Sequence, residues 1–166
     1  MKKVRITWPK NNYISRQTFG NSMIWGNYEF TFDEIPTADY WIIVNNYQLE
    51  KLSCFCPPKN ILYILQEPSS ISEYNNDNHS QQFIKQFGSV ITTQDSIQGS
   101  NVIFQQVGIP WSINKSIDYL FKETISEKTK FISIVTSNKT YTKGHRNRID
   151  CAMKIKRMCG FTHATT

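Results

Sequence analysis

The chain has 166 residues, enough for one ordinary domain with a real core and too few for two large ones. Hydrophobic residues make up 39% and aromatic residues 13%, a globular composition that excludes a disordered chain. The net charge of +6 is unevenly placed: residues 1–129 hold 11 basic against 12 acidic side chains, whereas residues 130–166 hold 8 basic side chains against Asp150 alone, a local anion-binding signal and not a global one.

The start, "MKKVRITWPK", is basic, but no long apolar stretch follows, so it reads as a first strand and not as a signal peptide. "ADYWIIVNN" is a short continuous apolar run, as in a strand buried on both faces. "NILYILQEP" is a third run, stopped by Pro68. The segment after it is polar and then helix-like around Gln81–Phe87. "GSVITT" reads as a fourth strand and "NVIFQQVG" as a fifth. In "INKSIDYLFKETISEK", Ile113, Ile117, Leu120 and Phe121 fit one helical face. "KFISIVTS" then predicts a strand, and "GHRNRIDCAMKIKRMC" a helix with Cys151, Ile155, Met158 and Cys159 on one face.

Strands that alternate with helices or long connections predict an α/β fold with a mostly parallel sheet. The charged stretch "ISEKTK" marks a boundary between a unit of residues 1–126 and a strand–loop–helix of residues 130–166. A single β-α pair cannot bury its own faces, so this second piece must dock on the first or belong to something longer. No run approaches the roughly 18 apolar residues of a membrane span, so the cytoplasm is the expected location, and a peripheral membrane contact remains compatible.

Cys54 and Cys56 form a C-x-C pair, with Cys151 and Cys159 far along the chain; without a C-x-x-C pair the expectation is free thiols in a reducing compartment, with no metal site. His79 and His163 sit in polar surroundings with no partner at ligand spacing. The sequons at Asn78, Asn114 and Asn138 carry no weight without a secretory signal.

The richest chemistry lies in "TSNKTYTKGHRNR", Thr136–Arg148. A loop leading into a helix start presents free backbone N–H groups and the positive end of the helix dipole, both favourable to an anion. Arg146 and Arg148 add guanidinium forks suited to phosphate oxygens. Ser137, Asn138 and Thr140 add neutral donors, and Gly144 would let the backbone turn or come close to a ligand. The spacing of a P-loop is missing. Lys154, Lys156 and Arg157 continue the charge along the helix, which also fits a plain solvated basic face. A second constellation is Glu67, where a buried strand ends; ligands gather at the carboxyl ends of parallel strands, and a carboxylate there can act as a general base. A surface or capping Glu is the bland alternative. His145 reads more readily as a helix-start donor than as a base.

Together these stretches resemble the family 10 glycosyltransferases, the α-1,3-fucosyltransferase-like enzymes. The matching phrases are "DEIPTADYWIIVNN", "ILYILQEPSSI", "QFGSVITT" and "ISIVTSNKTYTKGHRNRID", in order along most of residues 30–150. The resemblance implies a GT-B architecture of two Rossmann-like domains: residues 1–126 as the acceptor-side domain, a parallel sheet with flanking helices, and residues 130–166 as the first β-α unit of the donor domain. It implies inverting transfer from a nucleotide sugar, GDP-fucose in the best-known members, to a glycan acceptor, with no bound metal or cofactor. It makes Glu67 the base that deprotonates the acceptor hydroxyl. It makes Arg148 the residue that stabilises the departing diphosphate, with Arg146 as the fallback, and Ser137 and Asn138 shape the same pocket. Lys139, Gly144 and His145 lie in the same matching stretch and are carried with it to the donor side.

The sequence departs from the family after "MKIKRMCG": no Y-x-T-E-K-like segment follows, and "FTHATT" takes the place of further strands. The chain is therefore expected to be the N-terminal part of a transferase with a truncated donor domain, with little or no turnover of its own. The alternative is a non-catalytic glycan-binding module using aromatics such as Trp8, Trp25, Tyr28 and Trp111, although core packing explains most such rings. Nucleic-acid binding through the basic end is disfavoured, because that helix is short and carries no interleaved aromatics.

Overall fold

The computed structural model describes residues 1–8, 15–45, 52–67, 81–106, 115–124, 127–129 and 131–159. It divides into two compact units, Met1–Glu123 and Thr124–Thr166.

In the first unit the apolar runs become strands: β1 (Lys2–Thr7), β4 (Tyr40–Val44), β5 (Ile61–Leu65), β6 (Ser89–Thr92) and β7 (Val102–Phe104). Two strands not anticipated from the sequence, β2 (Ile24–Trp25) and β3 (Tyr28–Thr31), form a hairpin. Its two-residue turn is Gly26-Asn27, and Gly26 has φ +58°, a value a side chain would strain. The strands make one sheet in the order β2-β3-β1-β4-β5-β6-β7. Every neighbouring pair is parallel except β2 with β3. The α/β expectation with a mostly parallel sheet therefore holds.

Strand register decides which residues meet. Trp41 pairs with Ile61, Ile43 with Tyr63, Tyr63 with Val90, and Leu65 with Thr92. Alternation places all of these on one face, and a short helix, α1 (Gln81–Lys85), brings Phe83, Ile84 and, just past its end, Phe87 down onto it. Tyr63, Leu65 and Val90 are fully buried there. Tyr63 stacks on Phe87 at 4.8 Å and meets Phe83 edge-on at 5.6 Å. Removing a leucine-sized side chain such as Leu65 from water contributes about 2 kcal/mol. The opposite face is also apolar, with Val4, Ile6 and Val44 buried and Ile42, Leu62, Ile64 and Ile91 half-buried. Both faces being apolar is why these strands read as continuous runs.

Two connections are pinned by a buried cation. Arg5, on β1, is 3% exposed; its Nη1 donates to the Ser53 carbonyl at 2.6 Å and the Ile35 carbonyl at 3.5 Å, and its guanidinium lies 4.8 Å from the Trp41 ring centre. At the far side, α2 (Ile117–Lys122) is capped by Ser116, whose side chain accepts from the Tyr119 N–H. It is fastened by Asp118, which accepts from the Gly20 N–H at 2.8 Å, and by Phe121 against Phe19. The broader helix anticipated across residues 113–128 is thus only six residues long; Leu120 and Phe121 stay exposed, and Ile113 lies outside the described residues.

The second unit contains α3 (Lys143–Cys159). The strand predicted from "KFISIVTS" does not form: residues 131–140 carry no strand and no ladder pairing. Phe131 and Val135 are accordingly exposed. The half-buried residues of α3 are His145, Ile149, Ala152, Ile155 and Lys156; of the expected face of Cys151, Ile155, Met158 and Cys159 only Ile155 is among them, and the other three are exposed. The hydrophobic spacing admits both stripes, and only one is half-buried.

Candidate functional site

The carboxyl ends of β4, β5 and β6 are tied together by amide side chains. Asn45 follows β4 with φ +49°, a left-handed value that asparagine tolerates better than most residues. Its N–H donates to the Ile64 carbonyl at 3.0 Å, and its Oδ1 accepts from the Gln66 N–H at 2.7 Å. Beyond β6, the buried Gln94 donates from Nε2 to the Glu67 carbonyl at 2.8 Å, while its own N–H is held by Thr92 Oγ1 at 3.0 Å. Gln94 thus holds the Glu67 carbonyl, Asn45 holds the N–H of the preceding Gln66, and Glu67 is half-buried. This is where ligands collect in open parallel sheets. Pro68 and the stretch after it lie outside the described residues.

The second constellation, Ser137–Arg148, belongs to the second unit. Thr142 caps α3: its Oγ1 accepts from the His145 N–H at 3.1 Å, and His145 Nδ1 accepts from the Thr142 N–H at 3.3 Å. This is a reciprocal capping box with histidine in the place of the usual Glu or Gln. His145 is therefore occupied as a helix-start residue. Arg148 Nη2 donates to Ser137 Oγ at 3.1 Å, and Arg146 Nη1 donates to the Thr140 carbonyl at 2.8 Å. Both guanidinium groups fold back over the loop that opens the helix, and both residues are exposed, as are Asn138 and Lys139. Each fork keeps further N–H groups beyond the bond it makes. The special turn expected of Gly144 is absent: it lies in ordinary helix, and a Cβ there would meet only Thr142 Oγ1 at 3.8 Å.

Glu67 and the arginine pair thus stand in different units, each with its own support. Among the described residues no group of three His, Cys, Asp or Glu side chains could hold a metal ion, and no helix is long and apolar enough to cross a membrane. All four cysteines are free thiols, with Cys54 and Cys56 packed half-buried against the core and Cys151 and Cys159 exposed. Of the aromatics considered for glycan contact, Trp25 is 55% and Tyr28 40% exposed; Trp8 is half-buried, and Trp111 lies outside the described residues.

Asn45, Gln94 and Thr142 escaped the sequence reading. Thr142 was marked by a hydroxyl three residues before a side chain that can accept a bond; Asn45 and Gln94 had no signal beyond being amides near strand ends. No protein-family model, curated protein or solved structure matches the chain.

Proposed function

We propose that the chain is part of a glycosyltransferase of the fucosyltransferase-like kind, acting by inverting transfer from a nucleotide sugar to a glycan acceptor. GDP-fucose is the proposed donor, as a substrate rather than a resident cofactor. The observation that carries this reading is the capped start of α3, where Arg146 and Arg148 lie back over Ser137–Thr140 with N–H groups to spare. Two guanidinium forks beside a helix N-terminus suit a diphosphate, whose charge grows as it departs. Arg148 is assigned the diphosphate contact, with Ser137 orienting its fork. Arg146, Asn138, Lys139 and the Gly144 backbone complete the anion-binding surface, and His145 holds the cap. Glu67, fixed at the end of β5, is assigned the role of general base toward the acceptor hydroxyl; each role is drawn from its own unit. The GT-B architecture, with an acceptor-side first unit and a donor-side second unit, is part of this proposal.

The test is a calorimetric titration of GDP into the full chain and into R148A and R146A. Binding that weakens about tenfold or more in R148A supports the reading, a loss of about 1.4 kcal/mol. Binding that ignores both substitutions refutes it. A second reading, a glycan-binding module without catalysis, is favoured by the exposure of Trp25 and Tyr28; it would be recognised by retained glycan binding with no GDP binding at all.

A further inference from the structure

At the end of the sheet opposite Glu67, a cleft of about 340 Å³ opens beside the amino ends of β1, β4 and β5. It is lined by Lys3, Thr37, Asp39, Phe55 and Asn60, with Pro57 at its edge. Its polar groups are fixed. Asp39 Oδ2 accepts from the Lys3 N–H at 2.7 Å, leaving its other oxygen to accept. Asn60 Nδ2 donates to the Asp39 carbonyl at 2.8 Å, leaving one N–H and the side-chain oxygen. Phe55 is 81% exposed, yet its backbone is locked: its N–H donates to the Pro36 carbonyl at 2.7 Å, and its carbonyl accepts from Ala38 at 3.0 Å. A rigid main chain thus holds one bare aromatic ring beside the fixed polar groups of Asp39 and Asn60.

We infer that this cleft is a binding site for a neutral saccharide ring. A pyranose has an apolar C–H face, which packs on an aromatic ring, and an edge of neighbouring hydroxyls that both donate and accept. Asp39 accepts from such a hydroxyl, and Asn60 both donates and accepts. Lys3 and Thr37 supply further donors. The lining carries one acidic and one basic residue, Asp39 and Lys3, with the Lys2 ammonium also near Asp39, so no large excess of either charge is presented. Its volume falls in the range of small-ligand sites. The assignment rests on the chemistry of this cleft and not on the donor role of Arg148, so it stands or falls separately from the transferase reading.

The experiment is saturation-transfer NMR on the full chain with the methyl glycosides of glucose, galactose and N-acetylglucosamine, each at about 10 mM, the weak-binding range that the method reads. Free glycine and alanine serve as the competing zwitterions that Lys3 and Asp39 would also fit. The site predicts saturation of one C–H face of at least one glycoside. It predicts a loss of about tenfold in affinity in F55A and in D39N, with the thermal midpoint of F55A unchanged because that ring is exposed. No glycoside binding, glycoside binding indifferent to both substitutions, or binding of the amino acids alone would each overturn the inference.

Discussion

Replacing Asn45 separates two terms that hold the end of β5. Asn45→Ala places a Cβ-bearing residue with no local hydrogen bond of its own at φ +49°, which costs about 1 kcal/mol relative to Asn. It also deletes the acceptor of the 2.7 Å bond from the Gln66 N–H, worth about another 1 kcal/mol. The sum is about 2 kcal/mol, and for a unit of this size about 4 °C of midpoint per kcal/mol makes it about 8 °C. Asn45→Gly loses the bond but relieves the backbone, and even with a more flexible unfolded chain it should lose only about 1–1.5 kcal/mol. Asn45→Asp keeps an accepting oxygen and tolerates the same φ; it gives up only the long 3.4 Å bond from Nδ2 to Gln66 Oε1, and should fall within about 0.5 kcal/mol of the parent. Thermal unfolding followed by circular dichroism ranks the series Asp, Gly, Ala in order of increasing loss. Equal midpoints for all four proteins would show that the latch carries nothing. Equal losses for Gly and Ala would remove the backbone term.

Three further expectations follow from single contacts. A Cβ at Gly88 would overlap the backbone carbonyl of Lys59, so Gly88→Ala should cost about 2 kcal/mol in urea denaturation; an unchanged midpoint would mean that the Pro58–Asn60 turn yields freely. Arg5→Ala removes the bonds to Ser53 and Ile35 and the stacking on Trp41, and should cost about 2–4 kcal/mol, whereas a neutral result would mean that burying the cation offsets its bonds. Burial chiefly, then the neighbouring Cys54 and Asp39, pushes the Cys56 thiol above its usual value. The folded chain therefore holds this proton more tightly than the unfolded chain. That stability is fully present below the ordinary thiol pKa and is lost as pH rises through the higher folded value. Cys56→Ser should flatten the decline of stability above about pH 8.5, and iodoacetamide should label Cys151 and Cys159 before Cys56; equal labelling rates or an unchanged slope would contradict this.

The sheet was legible because β4, β5 and β6 carry apolar side chains toward both faces, and β1 carries Val4 and Ile6 toward one, patterns that need no knowledge of their neighbours. The hairpin was legible in principle: "IWGNYEF" places Gly-Asn between two β-rich pairs, but each strand is too short to stand out. The strand anticipated at residues 130–137 shows the opposite failure. "FISIV" has the β-branched and aromatic content of a strand, but local preference cannot supply the partner that a ladder requires. At the candidate site, Arg146, Arg148 and Ser137 could be named from residue type, and the bonds from Arg148 to Ser137 and from Arg146 to the Thr140 carbonyl follow from a helix start that the sequence marks. The grip of Asn45 and Gln94 on the segment around Glu67 could not, since it joins residues 21 and 27 positions apart in the chain. The special turn anticipated at Gly144 is absent, because a glycine in the first helical turn looks the same in sequence as one in a left-handed turn.

The most direct test of the diphosphate assignment is ³¹P NMR of GDP-fucose titrated with the full chain and with R148A. The account predicts that both phosphorus resonances shift and broaden with the parent protein and stay near their free positions with R148A at the same concentration. Resonances that respond equally to both proteins, or to neither, would contradict it.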